Sequence, residues 1–327
     1  MRDVADRVGV SITTVSLVLN GNTDSSRVSP ETCRRVLDAA KDLHYSPNAR
    51  ARALRTGYTN VIGLYAGHGY VSVRLPFYSE IISGLQDGCE EVKKDLILHG
   101  IFHGTAPEDV YTELSDGRID GLIVTMRPNH PLAKRFADSH LPVVAVADSL
   151  PEIPSVVVDD AEGSRLLAHH LFDRGHKRLA YVTGPAHPVS AIRRRNSFLE
   201  VASGLRMSVE ERSLTAGMDA ETAFLREVQS RAPAARPSAI ACWNDTTAFQ
   251  MLAACRRLGL AVPEEVAIVG FDGCTTQYGE LWPLTTIHAP WAEVARLAVL
   301  HLDTLVKGGN VPLETILPVQ LVVGQTT

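Results

Sequence analysis

Ser11, Thr13, Thr14 and Ser16 fall within six residues of one another, with Ile12 and Leu17 interleaved and Asn20 just beyond. Hydroxyls at the start of a helix suit phosphate oxygens, because the unpaired backbone amides there already favour an anion. A second polar group lies far downstream, where Asn244 and Asp245 close the run SAIACWND and Asp272 closes VAIVGFD. A carboxylate and an amide at the ends of apolar runs suit paired sugar hydroxyls or a polar base edge, with Asp245, which begins the next helix, read as that helix's cap rather than as a ligand residue. Both sets point to recognition. Catalytic signatures are missing from the sequence: it has no phosphate-binding glycine loop, HExxH, GxGxxG or nucleophile elbow. The expectation is a binding protein without a catalytic site, metal or cofactor, although a two-lobed α/β core could host an enzyme.

The first polar group needs a helix to carry it. Val4, Ala5 and Val8 have helical spacing and Gly9 breaks that helix. Ser11 can then cap a second helix, on which Val15, Val18 and Leu19 form one buried stripe. Helix, tight glycine turn and helix is the geometry that lays a second helix in a major groove, although a small helical bundle without a ligand has the same spacing. Ser29-Pro30-Glu31 starts a third helix with a capping hydroxyl, proline at the first helical position and an acid in the first turn. Val36, Leu37, Ala40 and Leu43 share a face, and His44-Tyr45-Ser46-Pro47 ends it. The predicted core of this unit is Val4, Val8, Val15, Leu19, Val36, Leu37 and Tyr45. At about 45 residues it is near the lower limit for an independent fold.

Charge divides the chain in the same place. The formal net charge is −5, but residues 1–57 hold nine Lys/Arg against six Asp/Glu, which leaves 23 basic against 31 acidic residues beyond. The basic end is the one with the paired helices. Arg27, Arg34, Arg35, Arg50, Arg52 and Arg55 can neutralise phosphates, or a pair such as Arg34 and Arg35 can simply solvate a helix face. NARARALRT, from Asn48 to Thr56, reads as a short helix too narrow in its apolar face to stand alone. Asn48 joins Ser11, Ile12, Thr13, Thr14, Ser16, Leu17 and Asn20 as a candidate DNA contact.

From Asn60 onward the pattern changes. VIGLYA, LILHGIF, GLIVT and PVVAVA, then RLAYVTG, SAIACWND, VAIVGFD and LTTIHAP, are short apolar runs separated by helical segments. Alternation of this kind gives parallel sheets covered on both faces, and two series in roughly 270 residues give two lobes. The predicted fold is therefore α/β: an N-terminal three-helix, helix-turn-helix domain followed by a two-lobed core with parallel sheets. Ligands bind beyond the carboxyl ends of such strands, so facing lobes enclose a cleft. The expected boundaries are 1–46 for the helical domain, 47–58 for a hinge or linker and 59–327 for the core. The first lobe takes about 59–160 and 290–318, and the second about 161–289 and the last strand.

Five scattered cysteines suggest reduced thiols in the cytosol, and the twelve histidines, His169-His170 included, show no metal-ligand spacing. No run approaches a membrane span and no apolar leader precedes residue 60, so a cytoplasmic location is expected.

DVADRVGVSITTVSLVLNG, VSPETCRRVLDAAKDLHYSPNARARALRTG and, much later, GFD followed by PLTTIHAP resemble the lactose-repressor and galactose-repressor (LacI/GalR) family of bacterial transcription regulators. The resemblance spans nearly the whole chain. It implies a ligand-responsive regulator, a repressor that acts as a homodimer on a pseudo-palindromic double-stranded DNA operator, with a periplasmic-binding-protein-like core that takes a small-molecule effector, a saccharide first. It also implies that residues near 48–56 form a hinge helix and that Leu54 enters the minor groove as a wedge; the alternative is a frayed linker with Leu54 packed on the next domain. Arg194 matches an effector-contacting arginine, with a register that could slip by one among Arg193, Arg194 and Arg195. Trp291 matches an aromatic or bulky position near the family pocket, and Phe77 starts a helix on the opposite lobe. Such plates fit the apolar face of a pyranose, although large aromatics are more often core. No heptad tail follows residue 307, which disfavours a tail-mediated tetramer.

Several positions depart from the family's form. The chain begins Met1-Arg2-Asp3 without the usual capping hydroxyl, which costs about 1 kcal/mol and suggests a start shortened by a few residues. Leu17 stands where an arginine is frequent, which shifts base preference away from guanine. The acid expected five residues after Pro142 is replaced by Ala147, with Asp148 next; either the strand bulges or the carboxylate points elsewhere. The loop GHGYVSVRLP is also unusual. These departures leave room for a second reading, a cytosolic solute-binding module whose DNA contacts have decayed.

Overall fold

The computed structural model describes residues 1–19, 28–46, 48–67, 71–183, 188–214, 219–274 and 283–327. Asn20, Arg27, Pro47, the Arg50 side chain and residues 68–70 of the GHGYVSVRLP loop lie outside the described set. The chain forms two compact units, Met1–Asn60 and Val61–Thr327.

The first unit holds α1 (Arg2–Val8), α2 (Ile12–Leu19), α3 (Pro30–Asp42) and α4 (Ala49–Thr56). Gly9 ends α1 at φ 73°, a left-handed conformation that glycine enters without steric cost, and its N–H closes on the Ala5 carbonyl. Ser29 caps α3 by accepting from the Thr32 amide at 3.2 Å. Met1 supplies no side-chain cap to α1, as its side chain dictates. The core is Val4, Ala5, Val8, Val15, Val18, Val36, Ala39 and Ala40, with Leu19 and Tyr45 packed at its edge. Leu37 departs from the expected core: it is 52% exposed. It sits one residue, about 100° of helix rotation, from Val36, and Ala39 takes the place assigned to it.

In the second unit the chain runs β1 (Val61–Ala66), α5 (Pro76–Val92), β2 (Asp95–His99), α6 (Pro107–Leu114), β3 (Gly121–Thr125), α7 (Ala133–Ala137), β4 (Val143–Val146) and β5 (Ser155–Val158). It continues through α8 (Asp160–Asp173), β6 (Arg178–Thr183), α9 (Val189–Gly204), β7 (Ser208–Ser213), α10 (Ala220–Ser230), a 3₁₀ turn at Pro233–Ala235, β8 (Ala239–Cys242), α11 (Asp245–Leu258), β9 (Ala267–Asp272) and β10 (Thr285–His288). Last come α12 (Trp291–Val306), β11 (Glu314–Leu317) and β12 (Gln320–Val322). One sheet has the order β11-β5-β4-β3-β1-β2 and the other β12-β10-β9-β8-β6-β7. The pairings are parallel except for β12 against β10. The chain therefore passes between the lobes three times, at β5 to α8, β10 to α12 and β11 to β12.

The central strands are buried along their whole length, which is why they read as continuous apolar runs. The run LILHGIF is different. Its strand β2 lies at a sheet edge with Ile97 and Leu98 exposed, and Ile101 beyond it is 95% exposed. In the first lobe α5 and α12 approach closely because Gly84 has no side chain: a Cβ there would collide with the Ala292 carbonyl oxygen. That contact brings the starts of both helices together, and Phe77 and Trp291 meet there edge to face with ring centroids 5.1 Å apart, so Phe77 shares a lobe with Trp291 rather than lying on the opposite one as expected.

Candidate functional site

In the first unit, Ser11 caps α2 by accepting from the Thr14 amide at 3.1 Å and lies 2.9 Å from the Thr14 hydroxyl. Ser11, Ile12 and Thr13 are exposed at the start of α2, and Thr14, Ser16 and Leu17 are half-buried farther along. Arg55 donates to the Ser16 hydroxyl at 3.1 Å, so α4 is tied to α2 through a cation. Asn48 starts α4 by accepting from the Ala51 amide at 3.3 Å. Leu54 projects from α4 with 90% of its surface exposed. Arg35 is less available than its charge suggests, since its Nη2 donates to the Val8 carbonyl at 2.7 Å and closes the end of α1.

The second unit has a cavity of about 310 Å³ between its lobes, at the carboxyl ends of the strands. Phe77, Arg194, Asn244, Asp272 and Trp291, the residues singled out in the sequence, all line it. Of the three adjacent arginines, Arg194 is the inward one, 3% exposed. Arg193 bonds Ser149 at 2.8 Å and Glu314 at 3.0 Å at the rim, and Arg195 pairs with Glu211 outside.

Arg194 is held on several sides. Its Nε donates to Asp160 at 2.8 Å, and its Nη1 donates to the Trp243 carbonyl at 3.0 Å and to Asp272 at 3.1 Å. The guanidinium carbon lies 3.7 Å from the Phe271 ring centroid. Nη2 makes no hydrogen bond among the described residues. Burial pushes the Asp160 carboxyl up to about 6, with the Arg194 charge opposing it. Asp272 is likewise pushed upward by burial against the pull of Arg194. It ends β9 at φ 126°, a strained backbone for a residue with a side chain, and that turn aims its carboxylate back toward Arg194.

Asn244, rather than Asp245, caps α11, accepting from the Thr247 amide at 2.9 Å. Its Nδ2 amide group is the part left to face a ligand. Asp245, read from the sequence as the cap, is instead buried and accepts from the Thr286 hydroxyl at 2.5 Å and the Cys274 amide at 3.1 Å. Burial first, and then the Asp272 charge, push its carboxyl upward.

The displaced acid after β4 has a geometric answer. Ala147 adopts φ 72°, and this left-handed residue turns the chain so that Asp148 reaches the cavity wall. Asp148 also accepts from the Ser190 amide, at the start of α9 on the other lobe, at 2.8 Å. Tyr78, Thr125, Ser190, Trp243 and Thr246 complete much of the lining and were not singled out in the sequence. Trp243 was legible, one residue before Asn244 in SAIACWND. Asp160 was hidden because β5, whose end it follows, had not been recognised as a strand.

A helix-turn-helix unit followed by a two-lobed α/β core with a cleft defines a ligand-responsive regulator. The sequence matches the model "Bacterial regulatory proteins, lacI family" over residues 1–48 and the model "Periplasmic binding protein-like domain" over residues 168–327. It is 30% identical over 320 residues to the HTH-type transcriptional repressor PurR of Escherichia coli O139:H28, covering 95% of this chain and 92% of that protein. Among solved structures, the lac repressor dimer bound to operator and the anti-inducer ONPF matches with a TM-score of 0.82 at 27% identity, over 99% of this chain and 97% of that one. The transcriptional regulator CelR–cellobiose complex matches with a TM-score of 0.71 at 26% identity, over 99% of this chain and 98% of that one. The chain belongs to the lacI family and is an effector-responsive, DNA-binding transcriptional regulator. Among the described residues, no helix is long and apolar enough to cross a membrane.

Proposed function

We propose that this protein is a cytoplasmic, non-catalytic repressor that grips a pseudo-palindromic operator as a homodimer and changes that grip when a small polyhydroxylated ligand, most simply a saccharide, enters the cavity of the second unit. The observation that carries the effector half is the cavity wall itself. Arg194, Asp272, Asn244 and Asp148 offer polar groups beside the plates Phe77, Trp243 and Trp291. Rings and paired polar groups in one cleft match the two faces of a sugar, one apolar and one studded with hydroxyls. Cellobiose in the CelR complex supports the same ligand class.

The DNA half assigns base and phosphate contacts to Ser11, Ile12, Thr13, Thr14, Ser16, Leu17, Asn20 and Asn48, and the minor-groove wedge to Leu54. An apolar side chain as exposed as Leu54 on a helix too short to persist alone needs a partner to cover it. In this reading residues 1–46 form the DNA-binding domain, 47–58 the hinge and 59–327 the sensor.

The dimer is supported by the contrast between two sheet edges. Edge strand β7 is guarded by Glu210, Glu211 and Arg212, which pair with Arg231, Arg195 and Glu227. Edge strand β2 presents Ile97 and Leu98, with Ile101 following. An apolar edge of that kind invites a second copy, whereas a charged edge repels one.

Binding to a duplex from the protein's own upstream region, read by fluorescence anisotropy with and without residues 1–57, tests the reading. Full-length protein should bind with an affinity that falls steeply with salt, by on the order of 10³ between 50 and 200 mM for six or more phosphate contacts. The shortened protein should not bind. Equal binding by both, or by neither, contradicts the proposal.

A further inference from the structure

The wall of the cavity carries more acid than base. Asp148 and Asp272 line it, and Asp160 and Asp245 stand directly behind it, hydrogen-bonded to Arg194 and Thr286 respectively. Arg194 is the one Lys or Arg among the described lining residues. Arg193, its neighbour in the chain, is not among those lining residues and is paired with Glu314. Residues 68–70, 184–187 and 275–282, whatever their placement, include no Lys or Arg.

Arg194 is also a poor seat for an anion, because two carboxylates already compensate its charge. Asp160 occupies Nε, and Asp272 with the Trp243 carbonyl occupies Nη1, which leaves a single edge at Nη2. A bidentate clasp on a phosphate or carboxylate needs two parallel N–H groups facing one way.

The hydrogen-bond inventory leads to the same class. Asp148 accepts the Ser190 amide on one carboxylate oxygen, Oδ1, so its second oxygen is an acceptor that calls for a ligand donor, while Asp272 accepts from Arg194 on Oδ1 and has the Trp291 N–H beside it. Among the described residues the Trp243 indole N–H is buried without a hydrogen-bond acceptor, whereas the Trp291 N–H lies beside the Asp272 carboxylate. A hydroxyl donates and accepts and can satisfy both kinds of group. A phosphate dianion or a carboxylate offers acceptors only and would leave its charge beside the acids.

We propose that this cavity selects an uncharged, polyhydroxylated effector and rejects the phosphorylated or carboxylated form of the same compound, with Asp148, Asp160 and Asp272 as the residues that set the discrimination. The inference rests on the saccharide reading above and narrows it by charge.

The test is a matched panel of neutral pentoses, hexoses and disaccharides, each paired with its phosphate ester or uronic acid, run against the full-length protein. Melting temperature in a phosphate-free buffer and operator affinity are the two readouts. At least one neutral compound should raise the melting temperature and shift operator affinity, and its acidic counterpart should bind at least about tenfold more weakly, the factor equal to one pKa unit of differential interaction. In Asp160→Asn, which removes one buried negative charge yet keeps an oxygen for Arg194 Nε, the gap within the pair should narrow. An acidic member that binds as tightly as its neutral partner overturns the inference and leaves the saccharide reading standing. If operator binding persists and no member of either charge stabilises the protein, the saccharide reading fails and takes the inference with it.

Discussion

Arg194 concentrates the chemistry of the second unit in one side chain. A buried guanidinium with two carboxylate partners is costly to desolvate and more costly to leave half-paired, so its neighbours act as a set. Arg194→Lys keeps the charge but loses the planar fork that reaches Asp160, Asp272 and the Trp243 carbonyl together. It should weaken effector binding at least about tenfold and leave operator affinity unchanged, as anisotropy and thermal shift on one preparation would show. Asp160 gives a pH test. Its folded-state value of about 6 lies above the ordinary carboxylate value of 3.8, so ionising it costs more in the folded state. That cost is absent below about pH 4, grows as pH rises toward 6 and is constant above, at up to about 3 kcal/mol. Losing one partner of Arg194 has a cost that does not vary with pH in this range, so the stability of Asp160→Asn relative to the parent should rise from pH 4 to pH 7; a difference that is flat or falls over that range contradicts the assignment. At the DNA end, Leu54→Ala should lower operator affinity at least about tenfold if the side chain unstacks a base step. It should leave the melting temperature unchanged because Leu54, 90% exposed, contributes little to the packing of α4.

At the scale of elements, the site depends on how closely α5 and α12 approach. Gly84→Ala places a methyl group against the Ala292 carbonyl and separates the helix starts that carry Phe77 and Trp291. Overpacking of this kind costs about 1–3 kcal/mol. Denaturant unfolding should register that loss together with weaker effector binding, and a variant as stable as the parent would argue against the close approach. The same scale explains what could be read in advance. Buried central strands such as GLIVT and VAIVGFD announce themselves as apolar runs, and Asn244 and Asp272 were found because they end such runs. β7, with the sequence SVEERS, did not announce itself, since Val209 is its one apolar residue and an edge strand can carry charges such as Glu210, Glu211 and Arg212. β5 is only four residues long, and missing it concealed Asp160. Leu37 misled because a helix face was drawn one residue too wide, and Asp245 because either of two adjacent polar residues can cap α11 until the backbone decides between them. The left-handed turn at Ala147 was beyond reach, since alanine gives no sign of adopting it. Leu98→Lys on β2 should shift the protein toward monomer in sedimentation, whereas an unchanged dimer would place the interface elsewhere.

For the whole molecule, three passages of chain join the lobes of the second unit, and side chains add further links. Asp148 reaches the Ser190 amide, and Arg193 reaches Ser149 and Glu314. A ligand that bonds Asp148, Arg194 and Asp272 at once touches both lobes, so its binding energy depends on how they are set. The sequence carried this level well, because the change from paired helices to two series of alternating strands and helices falls near Asn60, where the chain divides into its two units. Linkage then requires that effector and operator change each other's affinity by the same factor. The decisive measurement is the operator affinity of the full-length protein with and without a saturating concentration of the saccharide that stabilises it, paired with the saccharide's affinity for free and operator-bound protein. The account predicts equal and reciprocal shifts, on the order of 5–150-fold. A stabilising ligand that leaves operator affinity unchanged would contradict it.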